Sequence, residues 1–340
     1  VNIAEQTGRR RLAVGREAGD RRRVWPWPRV TLAALAAVAC AAPFLLTPYR
    51  VFQLTMILVY GIALLGLNLV VGQSGQISLG HGAFLAVGAY TSAVATGPLG
   101  LPYPVVLPLS ALLSFGLGLA LGLPALRLRG AYLAVVTLAI AVVVPPVIKR
   151  FGAVTGGSMG LSASVPSAPP WSGLADDQWL YLLVLAVAAA ALAAARNLLA
   201  SRSGRALAAI RENPAAAEVL GVRIAAHRTL VFAWSAMYAG VAGTLYAWVV
   251  GFVSPDSFTV TLSIVLLAAA VVGGPDSPAG PLLGAVFLTF VPAAAQGAGD
   301  AAPGLVAGLV IVIVVCAAPA GLAGLLRMAA GAVARRLGRE

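Results

Sequence analysis

The stretch N-L-V-V-G-Q-S-G-Q-I-S-L-G-H-G-A-F-L-A-V-G-A-Y, Asn68 to Tyr90, joins two apolar runs through a polar, glycine-rich break. Gln73, Ser74, Gln76, Ser78 and His81 gather where the second run begins, and Tyr90 follows inside it. Desolvating so many amides and hydroxyls is costly without partners, so these side chains should face protein or a water-filled path, not lipid. Gly82 and Ala86, four positions apart, also suit close packing between membrane helices. Helix packing is therefore the competing account of the glycines and of His81. If the run 77–96 crosses the membrane, the sides of all later loops are set.

Working outward, the chain has 340 residues, of which 60% are hydrophobic and 10% charged, and its mean hydropathy is +0.93. Soluble domains of this size carry about 25% charged residues. Water is not the main solvent of this chain. A crossing needs roughly 20 apolar residues, and the polar breaks divide the chain into candidate spans 30–47, 52–71, 77–96, 104–123, 131–148, 178–195, 229–250, 258–274, 281–297 and 303–319. The expectation is an all-α integral membrane protein of about ten transmembrane helices.

The net charge of +12 does not point to nucleic acid, because the basic residues sit in short arms between apolar runs. With the amino terminus inside, 20 of the 23 basic residues fall on the cytoplasmic side: in the tail 1–29, in 124–130, in 196–228 and at the carboxyl end. Only Arg50, Lys149 and Arg150 fall outside. That is the bias of the positive-inside rule. Without a crossing at 77–96, the six arginines of 196–228 would move outside.

The expected organisation is a disordered basic cytoplasmic tail over 1–29, a transmembrane domain over 30–320 and a basic cytoplasmic tail over 321–340. Both termini are expected in the cytoplasm. The run Val30–Thr47 could instead be a signal-peptide core, with Ala37–Cys40 as a cleavage site. Its 18 residues and the apolar helices that follow favour an uncleaved first helix.

All 11 acidic residues fall in loops, tails or helix ends, so no carboxylate is expected at mid-membrane. Ion-coupled carriers commonly need one there, which weakens a secondary transporter acting alone. No G-x-x-x-x-G-K-[ST] phosphate loop occurs, so energy from ATP would have to come from a partner. His81 and His227 lie far apart, and Cys40 and Cys316 sit in apolar runs as expected buried thiols. No metal site, cofactor site or catalytic cluster is expected.

The loop 196–228 contains a short helix with its own start and stop signals. Asn213 is a favourable N-cap, Pro214 suits the first helical position, and Gly221 can adopt the left-handed conformation just past the end. So short a helix is marginal alone and must lean on something. Ala216, Val219 and Leu220 form one face, with Glu218, Arg211 and Arg223 around it. Docking into a groove of a cytoplasmic protein fits this pattern; lying on the membrane surface is the alternative.

On the external side, T-G-G-S-M-G-L, Thr155 to Leu161, lies in a 29-residue connection. Its backbone amides could line an entrance or meet a delivery protein. V-V-G-G-P-D-S-P-A-G-P-L-L-G-A, Val271 to Ala285, forces a cytoplasmic turn between two spans.

Five segments, in order, resemble the branched-chain amino acid ABC importer permeases of the LivM type. They are L-N-L-V-V-G-Q-S-G-Q-I-S-L-G-H-G-A-F-L-A-V-G-A-Y, L-R-G-A-Y-L-A-V-V-T-L-A, T-G-G-S-M-G-L, G-R-A-L-A-A-I-R-E-N-P-A-A-A-E-V-L-G-V and V-V-G-G-P-D-S-P-A-G-P-L-L-G-A, between about residues 51 and 320. The resemblance implies the type II ABC importer permease fold in the plasma (inner) membrane. It implies a LivH-like second permease, two ABC ATPase subunits and an extracytoplasmic solute-binding protein as partners.

It further implies an ATPase-coupling role for Arg211, Glu212, Asn213, Pro214, Ala217, Glu218, Leu220 and Gly221. Gln73, Ser74, Gln76, Ser78, His81 and Tyr90 are expected along the translocation path or in helix packing. Thr155, Gly156, Gly157, Ser158 and Gly160 are expected at the external entrance. Branched-chain or other hydrophobic amino acids are the family's usual cargo, and urea or short amides are carried by relatives.

Overall fold

The computed structural model describes residues 29–125, 131–275 and 277–295, and beyond them 308–309, 312–314, 316, 321–325 and 328. The expected basic tail up to residue 28 lies outside the described residues. So do most of the tenth expected span and most of the carboxyl-terminal tail.

The elements in chain order are α1 (Arg29–Leu45), α2 (Pro48–Asn68), a π-helical turn (Leu69–Gln73), α3 (His81–Thr96), α4 (Tyr103–Ala125), α5 (Ala131–Arg150) and α6 (Gly152–Thr155). There follow a 3-10 turn (Gly157–Met159), β1 (Leu161–Ser162), α7 (Asp176–Ala200), α8 (Arg202–Glu212), α9 (Pro214–Val219) and α10 (Ile224–Val250). The last are β2 (Phe252–Val253), a 3-10 turn (Pro255–Phe258), α11 (Val260–Gly273) and α12 (Gly280–Ala295).

The protein is an all-α membrane protein. Among the described residues, Pro48–Gln73, Tyr103–Gly122, Leu133–Arg150, Asp176–Ala200 and Ile224–Val250 are long and apolar enough to cross a membrane. Ala36–Leu45, Val260–Gly273 and Gly280–Val291 are apolar but shorter.

The expected span 77–96 begins as a helix only at His81. Its 16 residues reach about 24 Å at 1.5 Å per residue, less than a hydrocarbon core of ~30 Å. Residues 75–80 ahead of it are non-helical, so a continuous α2–loop–α3 hairpin is replaced by a broken entry. Irregular backbone at that depth requires protein around it rather than lipid, and Ser74, Ser78 and His81 are buried.

α10 is the central helix and packs on α2, α3 and α4, while α7 lies outside against α2 and α1. Small residues set how closely these helices approach. A Cβ placed on Gly88 of α3 would lie 1.9 Å from the Gly240 carbonyl oxygen of α10, and one on Gly240 would lie 2.0 Å from Ser114 Oγ of α4. Without a hydrophobic force to join helices in lipid, such contacts carry the packing. Hydroxyls add to it: Thr244 Oγ1 donates to Ser110 Oγ at 2.6 Å, linking α10 to α4.

The two faces of the bundle are defined by contacts distant in sequence. On one, Gly72 meets Pro275, and Asn68 Nδ2 donates to the Ser277 carbonyl at 3.4 Å. On the other, Lys149 pairs with Asp256 at 2.7 Å and β1 pairs antiparallel with β2. α3 runs from the first face to the second, since Tyr103, just beyond it, donates to the Val165 carbonyl at 3.1 Å.

The expectation of buried cysteines is corrected: Cys40 and Cys316 are free and exposed. Cys40 sits on α1, which touches the bundle through α7 and α2. An apolar run in a membrane helix is as content against lipid as against protein.

Candidate functional site

The π-helical turn after Asn68 widens the end of α2 and redirects its hydrogen bonds. The Val70 carbonyl accepts from Ser74 Oγ at 2.7 Å and from the Gln76 N–H at 3.2 Å. In an uninterrupted α-helix the Gln76 N–H would go to Gly72 instead. The Gly72 carbonyl is thereby released, and the Arg211 guanidinium of α8 donates to it. π-turns in helices are frequent at functional sites.

Beyond the turn, Gly75 adopts φ +65° with no atom within 4 Å of a would-be Cβ, and Ile77 is 48% exposed. The far end of the break is fixed by side chains from three other helices. The Leu79 N–H donates to Thr137 Oγ1 of α5 at 2.9 Å, and the Gly82 N–H donates to Ser263 Oγ of α11 at 3.0 Å. Both hydroxyls satisfy amides at a helix start that lack intrahelical partners.

His81 completes the set through α10. Ser235 Oγ donates to the Gly66 carbonyl at 2.7 Å, so its hydrogen is committed and the His81 Nε2, 3.1 Å away, must be the donor to it. The imidazole then carries its proton on Nε2. Its Nδ1 and the Ser78 hydroxyl are buried with no hydrogen-bond partner.

Of the residues expected along a path, Gln73, Ser74, Gln76, Ser78 and His81 thus belong to one short region. Tyr90 does not. It lies nine positions beyond His81, about 13 Å along α3, with its ring edge-on to Phe258 at 6.4 Å. Thr137, Ser235 and Ser263, which hold this region, were missed by the sequence reading. Each is a single hydroxyl in an apolar helix, and nothing local marks its distant partner.

The loop after α7 holds two helices where one was expected. α8 starts at an N-cap, Ser201, whose Oγ accepts from the Ser203 and Gly204 N–H groups, and buries Leu207 and Ile210. That spacing and the N-cap were legible signals, hidden under the arginines of the loop. α9 follows the expected rules: Asn213 Oδ1 accepts from the Ala216 N–H at 3.1 Å, Pro214 opens the helix, and Gly221 has φ +81°. The Val222 N–H closes on the Ala217 carbonyl at 3.0 Å. Ala217 is the buried side chain of α9, whereas Val219 and Leu220 are 87% and 80% exposed.

The segment expected at the external entrance is an ordered turn. Thr155 Oγ1 donates to the Ile148 carbonyl at 2.6 Å, and Gly156, Gly157 and Gly160 all have positive φ. A Cβ on Gly160 would lie 2.4 Å from the Val253 carbonyl oxygen, which is how the turn lies flat on β2. Met159 is left exposed at its tip. Among the described residues, no group of three His, Cys, Asp or Glu is placed to hold a metal ion.

Residues 49–331 match the family described as branched-chain amino acid transport system / permease component. The high-affinity branched-chain amino acid transport system permease protein LivM of Salmonella typhimurium is 38% identical over 285 residues, which is 76% of this chain and 67% of that protein. The LivM protein of Escherichia coli is 37% identical over the same shares. The autoinducer 2 import system permease protein LsrC of Klebsiella pneumoniae is 35% identical over 147 residues, 40% of this chain and 41% of the relative. No solved structure matches the chain significantly. The described break, the capped loop helix and the glycine turn all fall within the matched stretch, and the chain belongs to the branched-chain amino acid transport system permease family.

Proposed function

We propose that this chain is the membrane-spanning permease subunit of an ATP-driven importer for branched-chain or other hydrophobic amino acids, working in the inner membrane with both termini cytoplasmic. A LivH-like second permease shares the path, two ABC ATPases supply the energy and an external solute-binding protein delivers the cargo. No bond in the solute is made or broken by this chain.

The observation that carries the reading is α9. A capped helix of six residues projects two large apolar side chains, Val219 and Leu220, into the medium on the basic face of the bundle. Exposing them is unfavourable unless a partner covers them. An ATPase groove is the partner that the family membership supports, with Glu212, Asn213, Pro214, Glu218 and Gly221 shaping or flanking the contact, while Arg211 reaches the Gly72 carbonyl instead. ATP binding draws the ATPases together, the seated helix moves, and the bundle switches between outward- and inward-facing states. Gln76, Ser78 and His81 line the inner part of the path, and the Thr155–Gly160 turn lies at its entrance.

The test is replacement of residues 213–221 by a flexible Gly/Ser linker. ATPase co-purification should be lost while membrane insertion persists; retained solute-stimulated ATPase activity would refute the coupling role. Solute transport by the purified chain alone, without ATP, would refute the importer reading itself.

A further inference from the structure

We propose that residues 74–80 form the cytoplasmic-side gate of the path and that Arg211 is the positioning residue that drives it. This rests on the importer reading above. Arg211 belongs to α8, not to α9, and its guanidinium turns back toward the membrane domain to the carbonyl of Gly72. That carbonyl is available because the π-helical turn sends the Gln76 N–H to Val70. A charged donor on a carbonyl released by a helix break is a strong and local tie.

The segment is anchored at both ends and loose between them. Its first end is held by Arg211, and its last by Thr137, Ser263 and the His81–Ser235 contact, on α5, α11 and α10. Between these ties stand Gly75, exposed and at φ +65° with open space around it, and the half-exposed Ile77. The first tie belongs to the loop that also carries the exposed Val219 and Leu220; the others belong to the bundle. A displacement of α8 and α9 therefore reaches Gly72 directly and must be absorbed by 74–80. A short non-helical segment with a free glycine is built to absorb such a change.

The experiment compares wild type, Arg211→Ala and Arg211→Lys in the reconstituted complete importer, measuring both ATP hydrolysis and solute uptake. Arg211→Ala should keep the ATPases bound and hydrolysing, because the α9 face is untouched, while uptake per ATP hydrolysed falls about tenfold. Arg211→Lys should restore part of it, since an ammonium can donate to the same carbonyl.

A spin label at Ile77→Cys, introduced together with Cys40→Ser and Cys316→Ser so that residue 77 carries the labelled thiol of this chain, should change mobility on ATP binding with Arg211 present and not in the Arg211→Ala background. Unchanged uptake per ATP, or a label indifferent to ATP with Arg211 present, would overturn the gate. Loss of ATPase binding in Arg211→Ala would overturn it too, by placing Arg211 in the docking face. Failure of the wild-type complex to couple uptake to ATP would instead fall on the importer reading.

Discussion

His81 and Ser235 meet 3.1 Å apart in the centre of the bundle, and the Ser235 hydroxyl is already spent on the Gly66 carbonyl. One hydroxyl thus joins α2, α3 and α10 and fixes the His81 tautomer. Ser235→Ala would leave a buried imidazole N–H and a buried carbonyl without this partner, at a cost of about 1–3 kcal/mol each way of counting. Thermal unfolding in detergent should show a clear fall in Tm. An unchanged Tm would mean that the contact contributes nothing.

Gln76→Ala and His81→Ala separate path from packing. Both should insert and assemble, with uptake reduced more than complex yield. The His81 Nδ1 is buried without a hydrogen-bond partner, so His81→Ala removes a polar atom that packing alone does not use. Wild-type uptake in both variants would assign these side chains to packing alone.

Gly88→Val places a branched side chain against the Gly240 carbonyl, where even a Cβ would lie 1.9 Å away. Overpacking costs about 1–3 kcal/mol where neighbours can shift, and backbone against backbone is less able to do so. The expected outcome is loss of monodisperse protein in size-exclusion chromatography. Gly116→Val, where no atom lies within 4 Å, should be tolerated.

Asn213→Ala removes the acceptor of the Ala216 N–H and should weaken α9 by about 1 kcal/mol. ATPase affinity should fall several-fold, and Asn213→Asp should preserve it because the side chain caps equally well. Equal affinity in all three proteins would show that α9 is formed by its partner and not by its cap.

Lys149 and Asp256 pair at 2.7 Å on the opposite face, but both remain substantially exposed. Solvent screening leaves such a pair worth about 0–1 kcal/mol. A double-mutant cycle on Lys149→Ala and Asp256→Ala should give a coupling energy in that range, falling as salt is added. A coupling of several kcal/mol would mark the pair as buried in the working complex.

Local signals in the sequence carried well where the physics is local. Asn213, Pro214 and Gly221 each act on their own neighbours, and α9 starts and stops where they direct. α8 was passed over because its arginines masked the Leu207 and Ile210 face and the Ser201 cap. Cys40 was misplaced because hydropathy separates water from apolar surroundings but not lipid from protein.

The sequence by itself determined the all-α membrane character and the capped helix, because solvent transfer and capping each act within a few residues of where they are written. The tertiary structure alone decided that α3 starts late, that Gly88 touches Gly240, that Ser235 holds His81 and that Arg211 reaches Gly72. Those pairs lie between 139 and 154 positions apart. A hydrogen bond or close approach over that separation depends on how the helices are arranged in space, and no local pattern in the chain encodes it.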